Sequence, residues 1–165
     1  GRLITLGKRE ENKKFMELAI QIAHENVLTS RGGPFGAVVV KDGEVIGSAG
    51  NEVTSSNDPT AHAEILAIRR ACRRLNSFQL TDCEIYTSCE PCPMCIGAIY
   101  WARPKAVYYA CTKEEAAQAG FDDQFIYEQI ALPMEQRRIP MKQLAISDRQ
   151  VPFQAWNRST DKVKY

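Results

Sequence analysis

The sequence has little histidine and no excess of either charge. Of its 165 residues only two are histidine, and 21 Lys plus Arg stand against 20 Asp plus Glu, a formal net charge of +1. So even a balance offers no broad field for a polyanion, and composition gives no support for a nucleic-acid partner. No apolar run approaches the ~20 residues a membrane helix requires. The opening GRLITLGKRE has neither the apolar core nor the small-residue cleavage site of a secretory signal. Residues 1–9 are expected to be a frayed, disordered or non-native end. No repeat, low-complexity tract or Pro/Gly-rich linker divides the chain, so a single domain over 1–165 is expected, able to bury roughly 70% of its unfolded surface around one core. A chain of this size needs no disulfide staples, and three of its six cysteines crowd into positions 89–95. Such clustering points to a metal and a reducing compartment, and hence to the cytoplasm.

Phe15, Leu18, Ala19, Ile22 and Ala23 recur at helical spacing between Glu10 and Leu28, and Gly32-Gly33-Pro34 ends that helix. FGAVVV (35–40) is a buried strand, and Asp42-Gly43 turns it into EVIGSAGN as an antiparallel hairpin. A helix is expected from near Thr60, with Ile65, Ile68, Cys72 and Leu75 as its buried stripe. CEIYTS, PMCIGAIYWA and KAVYYAC follow as strand, helix and strand, which implies a right-handed crossover and parallel pairing. KEEAAQAG is a short helix, FDDQFIYEQI loop and helix, MKQLAIS a further strand, and FQAW the start of a last helix. The sum is an α/β sandwich with a mixed sheet of about five strands.

Two fragments carry chemistry. PTAHAEI places His62 two residues before Glu64 where a helix begins. TSCEPCPMC places Cys92 and Cys95 three apart at the start of another, where the helix dipole and a metal both favour thiolates. Hydrolytic zinc sites take three such ligands and keep a fourth position for solvent. Glu64 cannot share the face of His62 inside a helix, but the constraint relaxes if His62 sits on the incoming non-helical backbone. Other readings stay open at this point. Cys89, Cys92 and Cys95 begin an iron–sulfur spacing, although position 99, where a fourth cysteine would stand, is Ile99. The three cysteines and His62 could also close a structural zinc site. Cys72, Cys83 and Cys111 are expected to be small buried hydrophobes, His24 a surface or packing residue, and Arg69, Arg70, Arg73 and Arg74 a solvated helix face.

His-x-Glu followed by Pro-Cys-x-x-Cys is the signature of zinc deaminases of nucleobases. With GGPFGAVVV, NDPTAHAEI and TSCEPCPMCIGAIYWARPKAVYYA, the chain resembles the cytidine deaminase superfamily. AGFDDQFIY and FQAWNRSTDKVKY resemble the bacterial guanine deaminases within it. The resemblance runs from about Phe15 to Tyr165 and implies a three-layer α/β/α fold with a five-stranded sheet. It also implies zinc-dependent hydrolysis of guanine to xanthine and ammonia. On it, His62, Cys92 and Cys95 match the zinc ligands and Glu64 the proton shuttle. Asn51 would bond the purine's oxygen edge, Phe35 would pack on the ring, and Asp123 and Tyr165 would complete and cap the pocket. A homodimer, domain-swapped through the C-terminal segment, is implied as well. The rivals are a guanosine or cytosine deaminase, a deaminase of adenosine in transfer RNA, and a non-catalytic zinc-stabilised binding domain.

Overall fold

The computed structural model describes residues 7–165. It divides into two compact units, one reaching to Asp123 and the other running from Gln124 to Tyr165. The first holds a four-stranded sheet of order β2-β1-β3-β4. Helix α1 spans Lys8–Leu28 with Gly7 as its N-cap; the expectation for residues 1–9 otherwise falls on residues 1–6, outside the described residues. Strands β1 (Gly36–Lys41) and β2 (Glu44–Gly50) form the expected antiparallel hairpin. Its turn takes positive φ at both Asp42 (50°) and Gly43 (75°), the backbone that Asp-Gly tolerates and that matches strand twist. A bulge after Val39 leaves Ile46 without a ladder partner.

Strand β3 (Cys83–Cys89) pairs antiparallel with β1, and β4 (Ala106–Cys111) pairs parallel with β3 after the crossover helix α3 (Pro93–Ala102). The period of two along β1 sorts the layers. Val38 and Val40 pack with Phe15 and Ala19 of α1, whereas Ala37 and Val39 pack with Ile99 of α3 and with α2 (Ala63–Leu75). Helices thus cover both faces of a mixed sheet, as expected.

Three expectations need correction. Among the described residues the sheet has four strands, and MKQLAIS forms none; its apolar residues at 141, 144, 145 and 146 do not alternate, and Leu144 stays 73% exposed. The buried stripe of α2 is Ala63, Ala67 and Ala71. Ile68, Cys72 and Leu75 are only partly buried against the same core, and Ile65 is half-buried. Small residues win because the helix lies close on β2: a Cβ at Gly47 would stand 2.7 Å from the Ala67 carbonyl oxygen and 2.8 Å from the Ala71 nitrogen. Cys111, on the outer strand, is exposed, while Cys83 is buried and Cys72 half-buried.

The second unit contains α5 (Gln124–Ala131), a 3₁₀ turn at Met134–Gln136 and α6 (Val151–Arg158), with α4 (Lys113–Gln118) preceding it in the first. No residue of this second unit is buried. Among the described residues, no helix is long and apolar enough to cross a membrane.

Gly47→Ala should lower the unfolding free energy by about 1–3 kcal/mol, since both atoms it meets are backbone and cannot step aside. Urea denaturation measures this, and an unchanged midpoint would contradict the close helix–sheet approach.

Candidate metal centre

The loop before α2 sets the position of His62. The Asp58 carboxylate accepts from the Thr60 N–H at 2.9 Å and from the Thr60 hydroxyl at 2.7 Å, which also keeps the Asp58 pKa below the ordinary range. The Glu52 N–H donates to the Ala61 carbonyl at 2.9 Å, and the His62 N–H turns back to the Thr60 carbonyl at 2.7 Å. These bonds hold the chain out of helix until Ala63, three residues later than Thr60. His62 is therefore the N-cap, extended at φ −71° and ψ 154°, and Glu64 stands in the first turn. That is the incoming, non-helical backbone that lets His62 and Glu64 point to one place.

A different device acts at α3. Pro93 pushes the residue before it into extended backbone and then occupies the first helical position, so Cys92 becomes the N-cap at φ −71° and ψ 169°. Cys95 lies one turn on and is fully buried. Neither His62 nor Cys92 spends its side chain on capping its own helix.

The three side chains converge. Nδ1 of His62 is 3.5 Å from the sulfur of Cys92 and 3.5 Å from that of Cys95. A tetrahedral zinc with Zn–S near 2.3 Å and Zn–N near 2.0 Å separates nitrogen from sulfur by roughly 3.5 Å, so the spacing fits that metal. All three donor atoms lie within 4.8 Å of one another. Hydrogen bonding from the Cys95 thiol, aided by His62, brings the Cys92 thiol down to about 4. Cys92 and burial push Cys95 up, and the bond to Cys92 raises His62. Glu64 is 6% exposed, and burial raises its carboxyl above the ordinary carboxylate range.

Cys89 does not join this cluster. It ends β3, burial lifts its thiol to about 11, and its sulfur faces the Thr112 carbonyl at 3.7 Å. Three donors and an adjacent carboxyl argue against both the iron–sulfur reading and a closed four-ligand site.

The remaining expected residues divide by unit. Asn51, 8% exposed, follows β2 and donates its N–H to the Phe35 carbonyl at 3.1 Å. Its side-chain oxygen accepts from the Val53 N–H at 3.0 Å. Phe35 is half-buried and meets Phe121 edge-on, with ring centroids 5.0 Å apart. Burial raises the Asp123 carboxyl, and charge on Cys92 adds to this, so Asp123 stands within electrostatic reach of the cluster. Tyr165 ends the second unit and is 73% exposed. His24 is exposed, and so are the four arginines of α2. Two of these arginines fold back on β2, Arg70 onto the Ser48 carbonyl at 2.8 Å and Arg74 onto that of Val45 at 3.2 Å. The sequence assigned no role to Phe121, although it lies in the AGFDDQFIY segment, nor to Asn26, a polar residue three positions beyond Ala23 on the apolar stripe of α1.

A family model, the cytidine and deoxycytidylate deaminase zinc-binding region, matches residues 9–111. Guanine deaminase of Bacillus subtilis is 56% identical over 154 residues, covering 93% of this chain and 99% of that protein. An X-ray structure of guanine deaminase from the same organism covers 93% of this chain and 98% of that one, with a TM-score of 0.91 at 56% identity. A tRNA-specific adenosine deaminase of Agrobacterium fabrum is 44% identical over 99 residues, covering 60% of this chain and 64% of that protein.

Purified wild-type protein should carry close to one zinc per chain. Cys92→Ser and His62→Ala should lose most of it, whereas Cys89→Ala should keep it. Zinc loss in Cys89→Ala, measured by atomic absorption, would restore the four-ligand structural site.

Proposed function

Since the chain belongs to the cytidine and deoxycytidylate deaminase family and is a zinc-dependent hydrolase, we propose that it converts guanine and water to xanthine and ammonia. One observation carries the chemistry: a His/Cys/Cys cluster with a buried carboxyl beside it. The choice of guanine rests on the Bacillus subtilis relative, whose similarity continues past residue 111 to nearly its whole length.

In this reading His62, Cys92 and Cys95 hold the zinc, and Glu64 remains free to move a proton. The bound zinc supplies Lewis acidity that makes a solvent nucleophile available at neutral pH. Glu64 would take one proton from the attacking water and pass it to the ring nitrogen beside the carbon bearing the amine, then take the remaining proton of the added hydroxyl and deliver it to the departing amine as the carbon–nitrogen bond breaks. Its burial suits both directions of transfer, because the neutral carboxylic acid is not disfavoured there.

Recognition falls to four side chains. The Val53 N–H occupies the oxygen of the Asn51 amide, so its nitrogen is the end available to donate to the purine's oxygen. Phe35 packs on the ring, with its plane held by the edge of Phe121. Asp123 accepts from the ring N–H and exocyclic amine that guanine presents on one edge, and adenine, which lacks that N–H, is rejected. Tyr165 caps the pocket. Large apolar side chains in the second unit, Ile139, Leu144 and Phe153 among them, are 71–78% exposed. Such surface supports a homodimer that exchanges its C-terminal segments. Thiolate ligands must stay reduced, which supports the cytoplasm.

The Agrobacterium relative favours a second reading, deamination of adenosine in transfer RNA. Ammonia release across guanine, guanosine, adenine, cytosine and ammeline separates these, with guanine expected to dominate. Glu64→Gln should retain zinc while kcat falls by roughly 10²–10⁴-fold. A zinc-loaded wild-type enzyme inert toward guanine would reject the proposal, and filter retention of transfer RNA at low salt would promote the alternative. Light scattering should return twice the chain mass, and a monomer would remove the dimer.

A further inference from the structure

Asn26 is 5% exposed on the last turns of α1, at a position where the apolar stripe would continue. An amide there is costly to bury unless it is bonded. Its nitrogen donates to the Gly33 carbonyl at 2.7 Å and to the Asn51 carbonyl at 2.9 Å. A primary amide has two N–H donors, and both are used. The two acceptors lie 18 positions apart in sequence but flank the same feature. Gly33 is two residues before Phe35, and the Asn51 N–H donates to the Phe35 carbonyl at 3.1 Å. One side chain therefore closes a ring of bonds around the backbone that carries both Phe35 and Asn51.

The packing leaves this arrangement little slack. A Cβ at Gly50 would come within 2.6 Å of the Asn26 side-chain oxygen, and one at Gly32 within 2.2 Å of the Asn51 carbonyl oxygen. Both neighbours of the clasp must be glycine for it to close. The two side-chain hydrogen bonds of Asn26 go to backbone carbonyls and to none of the proposed zinc ligands, Glu64 or the Asn51 side-chain amide.

We infer that Asn26 is a positioning residue for purine recognition: by fixing the backbone under Asn51 it sets how strongly the site prefers a purine bearing the exocyclic oxygen over one lacking it. This rests on the proposed role of Asn51. Loss of the clasp lets the Asn51 amide drift from the oxygen while the zinc centre, built on α2 and α3, is untouched.

The test compares guanine with 2-aminopurine, which keeps the amine but lacks both the oxygen and the ring N–H beside it, using zinc-loaded full-length protein; each variant is scored against the wild type for the same ligand, so the missing N–H cancels. Asn26→Ala should raise KM for guanine roughly 5- to 10-fold, the worth of one hydrogen bond, with kcat and zinc content nearly unchanged. The inhibition constant of 2-aminopurine should move less than about twofold, because the oxygen contact is absent from that ligand. Gly50→Ala, which pushes on the amide from the other side without removing it, should give the same signature and serves if Asn26→Ala does not fold. Combining Asn26→Ala with Asn51→Ala should add little on guanine beyond Asn51→Ala alone. Equal weakening of both ligands in either variant, or a fall in kcat with KM constant, overturns the inference while an active wild type leaves the functional reading standing. A wild-type enzyme inert toward guanine overturns the functional reading, and the inference with it.

Discussion

Two helices must begin at the same point in space for the centre to exist. His62 and Cys92 are both N-caps in extended backbone, and Cys95 is one turn into its helix. Helix N-termini bring unsatisfied N–H groups and partial positive charge, which favour the thiolate form of cysteine. Since neither N-cap side chain bonds back to its own helix, both remain directed at the shared site. The Asp58–Thr60 turn and the Pro91-Cys92-Pro93 run are local devices, and each works by delaying a helix until a chosen residue has passed.

The sheet supplies the rigidity that this convergence needs. Alanines on α2 and Gly47 on β2 let helix and sheet approach more closely than larger side chains would allow. The loops are tied to this frame by a few polar groups. Ser88 accepts from the Gly36 N–H at 3.0 Å at the start of β1, and Glu90 accepts from the Lys113 N–H at 3.1 Å at the start of α4. Asn26 does the same for the loop between α1 and β1. Each is a buried or half-buried polar side chain that satisfies backbone groups the ladders leave over.

The two units differ in what they bury. All fully buried side chains precede Asp123, and the first unit holds both apolar clusters with the metal-binding residues. The second exposes Phe153, Leu144 and Tyr165.

What the sequence determined by itself was everything encoded locally. The Asp42-Gly43 hairpin, the helical periods and the His-x-Glu and Pro-Cys-x-x-Cys fragments each rest on patterns within a few residues, and the strand–helix–strand order of β3, α3 and β4 was enough to imply parallel pairing. Tertiary structure decided the rest. MKQLAIS had strand-like composition but lacked an alternating face and a ladder partner. The stripe of α2 shifted from Ile65 to Ala67 because only the sheet reveals how near the helix comes. Cys111 became exposed because it fell on an outer strand, and Asn26 gained its partners 7 and 25 positions away. Burial and long-range hydrogen bonds depend on what arrives from elsewhere in the chain, and no short window of sequence contains that.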